Sequence, residues 1–200
     1  MKTRVFTFHV FPIMVLLAIV VTFPLSGFCQ DKFEKESRIS EKEVPSKARS
    51  FIYKIVLDQE VKWYMEHSQS GNSIEAKFKL NQKAHSIEFD SLGNVEDVEI
   101  KIDWHQIPEE VRKNISRGMD LKFIKWTIRK IQIQYTGDDE ALITLTKKGE
   151  TDYGYTVKYE IVVKGKESGR PQLFEMTFSD KGALLKSLII IFKNTDILEY

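Results

Sequence analysis

Histidine and acidic side chains are the groups of this 200-residue chain that offer acid–base or metal-binding chemistry. Three histidines lie beyond the first thirty residues, and none has a second ligand at the spacing of a metal site: His67, His85 and His105. Asp103 and His105 form a candidate acid–base pair, but no nucleophile lies nearby in the sequence. We therefore interpret all three histidines as structural residues.

An acidic stretch, Asp138, Asp139 and Glu140, is the second candidate, because carboxylates are the ligands that calcium prefers. The regular alternation of an EF-hand loop is absent, so the pattern favours a solvated loop. The sequence also lacks a phosphate-binding glycine loop, a GxSxG elbow and an HExxH helix. These patterns predict that the protein is not an enzyme and that it has no metal and no other cofactor.

The first 29 residues predict an export signal. Lys2 and Arg4 precede a run without charged residues from Val5 to Phe28, and the chain becomes highly charged after Gln30. We expect cleavage between Cys29 and Gln30. Two alternatives stay open. The apolar run, of about 20 residues, is long enough for an uncleaved anchor. Lipid attachment at Cys29 is the other, although a bacterial lipid box has a small residue where Phe28 stands.

Removal of this signal leaves 28 basic and 29 acidic residues, so the charge of the mature chain is close to neutral. No attraction for nucleic acid follows from that balance. The only cysteine is Cys29, so the mature chain has no disulfide and depends on a hydrophobic core. We predict a periplasmic or secreted protein with no membrane span once the signal is removed.

The pattern of the remaining chain predicts a tandem repeat of one structural unit. Residues 30–43 are charged and poor in large apolar residues, and we expect a flexible leader. Val44-Pro45 and Ile107-Pro108 each open a segment with apolar residues at helical spacing. The apolar period then changes from about 3.6 to 2 residues, which indicates antiparallel strands with one buried face.

The same turn chemistry occurs near the end of each unit. The stretch 90–94 reads DSLGN and the stretch 179–183 reads SDKGA, with Gly93 and Gly182 suited to a tight turn. The predicted fold class is α+β: two tandem copies of a helix packed on a four-stranded antiparallel sheet, residues 44–104 and 107–193. An insertion at 136–154 holds either a hairpin or a short helix, and 194–200 form a C-terminal tail.

A helix followed by four antiparallel strands, ending in a hairpin of the type FDSLGNV or FSDKGAL, resembles the PepSY-like domains. Tandem pairs of this unit resemble the exported bacterial group named for its likeness to the β-lactamase inhibitor protein. The resemblance implies a non-enzymatic module of Gram-negative bacteria that binds or restrains proteins. No residue here matches those that the founding inhibitor inserts into its target, so inhibition of a β-lactamase is not implied.

The outer face of the first sheet is the candidate binding surface. It is expected to present Tyr64, Glu75, Lys77, Glu88 and Lys101, and an aromatic ring among charges is a plausible contact anchor. The alternative is that glutamates and lysines opposite one another only stabilise a solvated surface. We predict an exported binding module for a protein or peptide, inhibitor-like or regulatory in the cell envelope.

One strand departs from the one-sided pattern. Residues 183–192, ALLKSLIIIF, are apolar on both faces. Either the second sheet is covered on its outer side or this strand lies against another subunit. The second reading predicts a structural or assembly component that forms a homo-oligomer, such as a homodimer, through 183–192.

Overall fold

The computed structural model of the protein describes residues 30–32, 35–68, 71–149 and 154–191. The predictions for the signal, for its cleavage, lipidation or retention at Cys29 and for the tail at 194–200 fall outside these residues. Within the described ranges the chain forms three α-helices and ten strands, and all ten strands belong to one sheet.

The first part of the chain contains one helix and six strands, with a short 3-10 helix, Glu41–Glu43, before the α-helix. The elements are β1 (Gln30–Lys32), β2 (Lys35–Ile39), α1 (Ser46–Ile55), β3 (Lys62–Ser68), β4 (Gly71–Leu80), β5 (Lys83–Phe89) and β6 (Val95–Lys101).

The second part begins with another 3-10 helix, Trp104–Gln106, and contains two α-helices and four strands. The elements are α2 (Glu109–Lys122), β7 (Lys125–Gly137), α3 (Asp139–Lys148), β8 (Tyr155–Lys166), β9 (Gln172–Ser179) and β10 (Leu184–Ile190).

The strands follow one another in the order β1-β10-β9-β8-β7-β6-β5-β4-β3-β2. Every neighbouring pair is antiparallel except β1 and β10, which are parallel. The two four-stranded sheets expected from the sequence are thus joined at β6 and β7, where Glu99 is opposite Gln134. A joined sheet satisfies the backbone groups that each separate sheet would leave unpaired at its edge.

The helices α1 and α2 begin in the same way. A 3-10 turn with a capping box, Ser40 with Glu43 and Asp103 with Gln106, comes first. Pro45 and Pro108 then occupy the N-cap positions of α1 and α2. Because proline fixes φ and has no N–H to leave unsatisfied, it suits the first residues of a helix.

All three helices pack on one face of the sheet. α1 contributes Phe51 and Ile52 to a cluster that contains Phe89 of β5 and Leu142 of α3. α2 contributes Ile115 and Met119 to a second cluster with the inward side chains of β7, β8 and β9. Burial of each such side chain stabilises the fold by about 1.5–3 kcal/mol. The apolar stripes and the strand alternation read from the sequence therefore supply these two clusters.

The leader differs from the expectation of a flexible segment. Residues 35–39 form β2, which pairs with β3, and 41–43 form a 3-10 helix. Without β2, the backbone N–H and C=O groups on one side of β3 would be unpaired, and a charged strand is suited to such an edge.

The insertion contains a helix, not a hairpin. The acidic stretch Asp138 to Glu140, expected as a solvated loop, supplies the N-cap and first turn of α3. Negative charge is favourable at that end of a helix dipole. None of the helices in the described residues is long and apolar enough to cross a membrane.

The apolar strand β10 lies between β9 and the short strand β1 of the same chain. β1 pairs with its last residues, in a register that places Asp31 opposite Ile189. Leu188 is buried, whereas Leu184 and Leu185 are 41% and 56% exposed. One edge of the strand is therefore partly covered by the chain itself, and oligomer formation through 183–192 stays a prediction.

Candidate functional site

The face of the sheet opposite the helices forms a groove of about 910 Å³. It extends from Glu36 on β2 to Ile190 at the end of β10. Most of its lining is charged or polar, and we use "the groove" for the space lined by these residues: Glu36, Gln59, Glu60, Lys62, Glu66, Glu75, Lys77, Phe78, Lys79, Ala84, His85, Ser86, Glu88, Glu99, Lys101, Lys130, Gln132, Glu160, Val162, Glu175 and Ile190.

Four of the five residues predicted for the outer face line this groove: Glu75, Lys77, Glu88 and Lys101. The fifth, Tyr64, is opposite Glu75 in the sheet, and the Lys77 Nζ lies 4.9 Å from the centre of its ring. The structure thus brings the predicted residues to one surface. Glu75 differs from the expected solvated side chain, because it is only 5% exposed.

The ammonium group of Lys77 lies between two carboxylates. Its Nζ is 2.9 Å from Oε1 of Glu36 and 2.8 Å from Oε2 of Glu75. Partial burial acts to lower the pKa of Lys77, but the hydrogen bonds and charges of Glu75 and Glu36 outweigh it and raise that pKa above its usual value. Lys77 is therefore held as a cation in the groove.

Three carboxylates at this end of the groove are close enough to share a metal ion: Glu36, Glu66 and Glu75, whose oxygens lie within 4.8 Å of one another. The hydroxyl of Ser86 donates a hydrogen bond to Glu75. The Lys77 ammonium already offsets part of the negative charge and the Ser86 hydroxyl satisfies one acceptor, so the cluster alone does not identify a metal site.

A second polar group lies where β6 meets β7, and we call it the central cluster: Asp97, Glu99, Gln132 and Gln134. The Nε2 of Gln134 donates to Oδ2 of Asp97 at 3.0 Å and lies 3.4 Å from Oε1 of Glu99. Asp97, Glu99 and Gln132 are 8%, 7% and 7% exposed. Two acids are thus buried next to each other on a sheet face that carries no helix.

Burial changes the acidity of both carboxyls. It raises the pKa of Asp97 to about 7, and the charges of Glu160 and Glu96 add to the effect. Burial also raises the pKa of Glu99 well above its usual value, with further contributions from Glu160 and Asp97. These carboxyls therefore titrate at a higher pH than solvated ones do.

Several other charges face this pair from neighbouring strands. Glu75 on β4 and Glu88 on β5 raise the pKa of Asp97 and of Glu99, respectively. Lys158 on β8 lowers the pKa of Asp97, and Lys130 on β7 lowers that of Glu99. The two lysines only partly offset the burial and the acidic neighbours.

Two oxygen atoms of the central cluster have no hydrogen-bond partner among the described residues. They are Oδ1 of Asp97 and Oε1 of Gln132. A buried acceptor without a donor costs about 1–3 kcal/mol, which is why native proteins have few of them. Gln132 lines the groove, so its amide oxygen is the one of the two that faces a donor entering there.

The three histidines lie apart and do not form an acid–base pair through Nδ1. Nδ1 of His67 is within hydrogen-bond distance of Oδ1 of Asn72, and Nδ1 of His85 is within that distance of the carbonyl oxygen of Lys83. Nδ1 of His105 contacts the guanidinium of Arg112. His85 stacks on Phe78, and burial lowers its pKa. His67 is exposed, although its strand position predicted an inward side chain.

Sequence reasoning missed the central cluster. Glu99 alternates with apolar neighbours on β6, and Gln132 and Gln134 do so on β7, but none of the three is among the residues predicted for the binding surface. Alternation identifies the face on which a side chain lies but not how deep it is within a groove. The close spacing of acids at Glu96, Asp97 and Glu99 is the signal in the sequence that could have identified this place.

Comparison with protein families and with curated proteins gives no match: no family model matches the sequence. No curated protein matches it either.

Solved structures from Bacteroides are similar in fold. A DUF2874 family protein from Bacteroides ovatus ATCC 8483 has a TM-score of 0.50 at 16% identity, covering 78% of this chain and 94% of its own. A BLIP-like protein from Bacteroides fragilis NCTC 9343 has a TM-score of 0.47 at 16% identity, covering 76% and 91%. A DUF2874 family protein from Bacteroides uniformis ATCC 8492 has 0.49 at 11%, covering 73% and 89%. At such identities the likeness concerns the fold alone.

Proposed function

We propose that the protein is an exported, non-enzymatic binding module that takes a protein or peptide partner in the groove. The observation that carries the proposal is the set of buried polar groups on the helix-free face, where Asp97 and Gln132 keep acceptors without donors. Buried polar groups are costly unless they are hydrogen bonded, so a partner that supplies donors gains affinity from them.

The dimensions of the groove favour a polymer over a small molecule. Its lining spans the strands from β2 to β10, where it ends at Ile190. Pockets for small ligands are mostly apolar with few polar groups, whereas this surface is charged along much of its length. An extended peptide or a protein loop matches such a surface better than a compact cofactor does.

The same binding face is proposed to arise from duplication of one unit. Each copy has a capping box, a proline at the helix N-cap and four strands in sequence order. The turn before the last strand is also alike: the side chains of Asp90 and Ser179 accept hydrogen bonds from the backbone of their own turns. Gly93 and Gly182 donate to the carbonyls of Asp90 and Ser179, both at 2.9 Å.

Export to the periplasm or the medium is part of the proposal. It is supported by the basic start and the charge-free run before Cys29. Affinity for a PepSY-like ligand or for a β-lactamase does not form part of it, since no residue of the groove has been matched to such a function.

A pull-down with the groove blocked tests the proposed function. We expect purified residues 30–200 to recover a specific partner from cell-envelope extract, and Glu88→Trp to reduce recovery about tenfold, because the ring fills the groove. The matched control is Lys113→Trp on α2, a side chain that is 56% exposed and lies on the helix side. Equal recovery by the two variants, or no partner for the wild type, would contradict the proposal.

A further inference from the structure

The groove is acidic although the predicted mature chain is nearly neutral. Its lining contains eight glutamates and five lysines. The acidic excess is therefore a local property of this face. Charge complementarity across an interface guides both the encounter and the choice of partner, so a surface of this kind is suited to a basic partner.

The central cluster adds a second, independent observation. The side chain of Gln132 is 7% exposed, lines the groove and leaves its Oε1 without a donor among the described residues. Gln132 has two direct neighbours across the sheet, Glu160 on β8 and Lys101 on β6. Glu99 lies two residues before Lys101 on the same strand. Carboxylate and amide oxygens accept hydrogen bonds, while ammonium and guanidinium groups only donate them.

Lys77 provides an example of such binding within the same groove. Its ammonium group is held at 2.9 and 2.8 Å by two carboxylates, and the ring of Tyr64 lies beneath it. The central cluster has similar acceptors. Lys101 is opposite Gln132, and Lys130 and Lys158 act on the two carboxyls, yet Oδ1 of Asp97 and Oε1 of Gln132 have no hydrogen bond among the described residues.

We propose that the central cluster binds a lysine or arginine side chain of a basic segment in the partner protein. The inference rests on the proposed function and adds the chemistry of the partner. Asp97 and Glu99 of the cluster, with Glu160 opposite Gln132 on β8, provide negative charge, and Gln132 provides a neutral acceptor that orients the cation. Charge-assisted hydrogen bonds of this kind are about twice as strong as neutral ones.

Titration calorimetry with blocked tetralysine tests this inference on residues 30–200 at about pH 8 and low ionic strength, since screening weakens exposed ion pairs. We expect tetralysine to bind and tetraglutamate not to bind. Glu99→Gln is expected to weaken tetralysine binding about tenfold. The control Glu109→Gln removes the same charge from an exposed position on α2 and is expected to leave the affinity within about twofold.

Acid is expected to weaken the complex, because protonation of Asp97, whose pKa is about 7, removes a charge that attracts the cation. Between about pH 8 and pH 5 the affinity for tetralysine should fall about tenfold or more. Near neutral pH, binding should release protons from the central cluster. This release is measured as a dependence of the heat on the ionisation enthalpy of the buffer.

Three other outcomes would contradict this inference. Equal weakening by Glu99→Gln and Glu109→Gln would overturn the central cluster as the site. Binding of spermine as tightly as tetralysine would overturn the assignment to a protein segment. If tetralysine does not bind but the pull-down partner is still lost in Glu88→Trp, the cationic partner is wrong and the proposed function stands.

Discussion

Replacing Asp97 by asparagine is expected to stabilise the protein at about pH 8 by up to about 4 kcal/mol. The pKa of Asp97 is about 7 in the fold, against about 3.9 in an unfolded chain. Because the folded pKa is the higher one, the fold favours the protonated form, and stability falls as the pH rises from about 4 to 7. Asparagine carries no charge and keeps an oxygen that accepts from Gln134, so it avoids this loss.

Thermal unfolding at two pH values measures the effect. At about pH 8 the unfolding midpoint of Asp97→Asn should rise by about 10 °C, and at about pH 3, below both pKa values, it should match the wild type closely. The control is Asp58→Asn, an exposed loop position, which should change the unfolding free energy by less than about 0.5 kcal/mol. A destabilised Asp97→Asn at the higher pH would show that this carboxylate has a stabilising partner in the fold.

The second large effect concerns the turn glycines that touch the helices. Gly93 has φ +84°, and a Cβ there would lie 2.9 Å from the backbone N of Ala48 and from Cβ of Pro45. Alanine at this position combines left-handed backbone strain with a clash against α1, which together cost about 3 kcal/mol. Gly182 has φ +81°, and a Cβ there would lie 2.6 Å from the carbonyl oxygen of Val111 on α2. We expect a similar loss for Gly182→Ala.

Gly149 separates the two contributions. It has φ +83°, but nothing lies within 4 Å of a Cβ built on it. Gly149→Ala should therefore cost only the backbone strain, about 1–2 kcal/mol. Chemical denaturation of the three variants makes the comparison. If Gly93→Ala and Gly149→Ala lose equal stability, the contact between turn and helix does not constrain the glycine.

The local elements could be predicted because each has a signal within a short stretch of sequence. Pro45 and Pro108 mark the starts of two helices, and Gly93 marks a turn that requires positive φ. Alternation identified the face on which Glu75 and Glu88 lie. Spacing of residues along the chain is sufficient for these predictions, because they depend on periods and on backbone conformation.

Long-range pairing could not be predicted in the same way. The contact of Glu99 with Gln134 joins the strands of the two units, and the pairing of Asp31 with Ile189 brings together distant parts of the chain. Neither has a local signature. The burial of Glu99 and Gln132 depends on the shape of the whole sheet, so neither residue is among those predicted from the sequence for the binding surface.

Cross-linking from inside the groove tests the central claim most directly. A photoreactive phenylalanine analogue replaces Glu88 in one variant and Lys113 in another, and both are illuminated in the native cell envelope. We expect a cross-linked partner from the Glu88 position, in which mass spectrometry identifies a segment rich in lysine or arginine, and none from the Lys113 position. A partner captured from Lys113 on the helix side, with none captured from Glu88, would contradict this expectation.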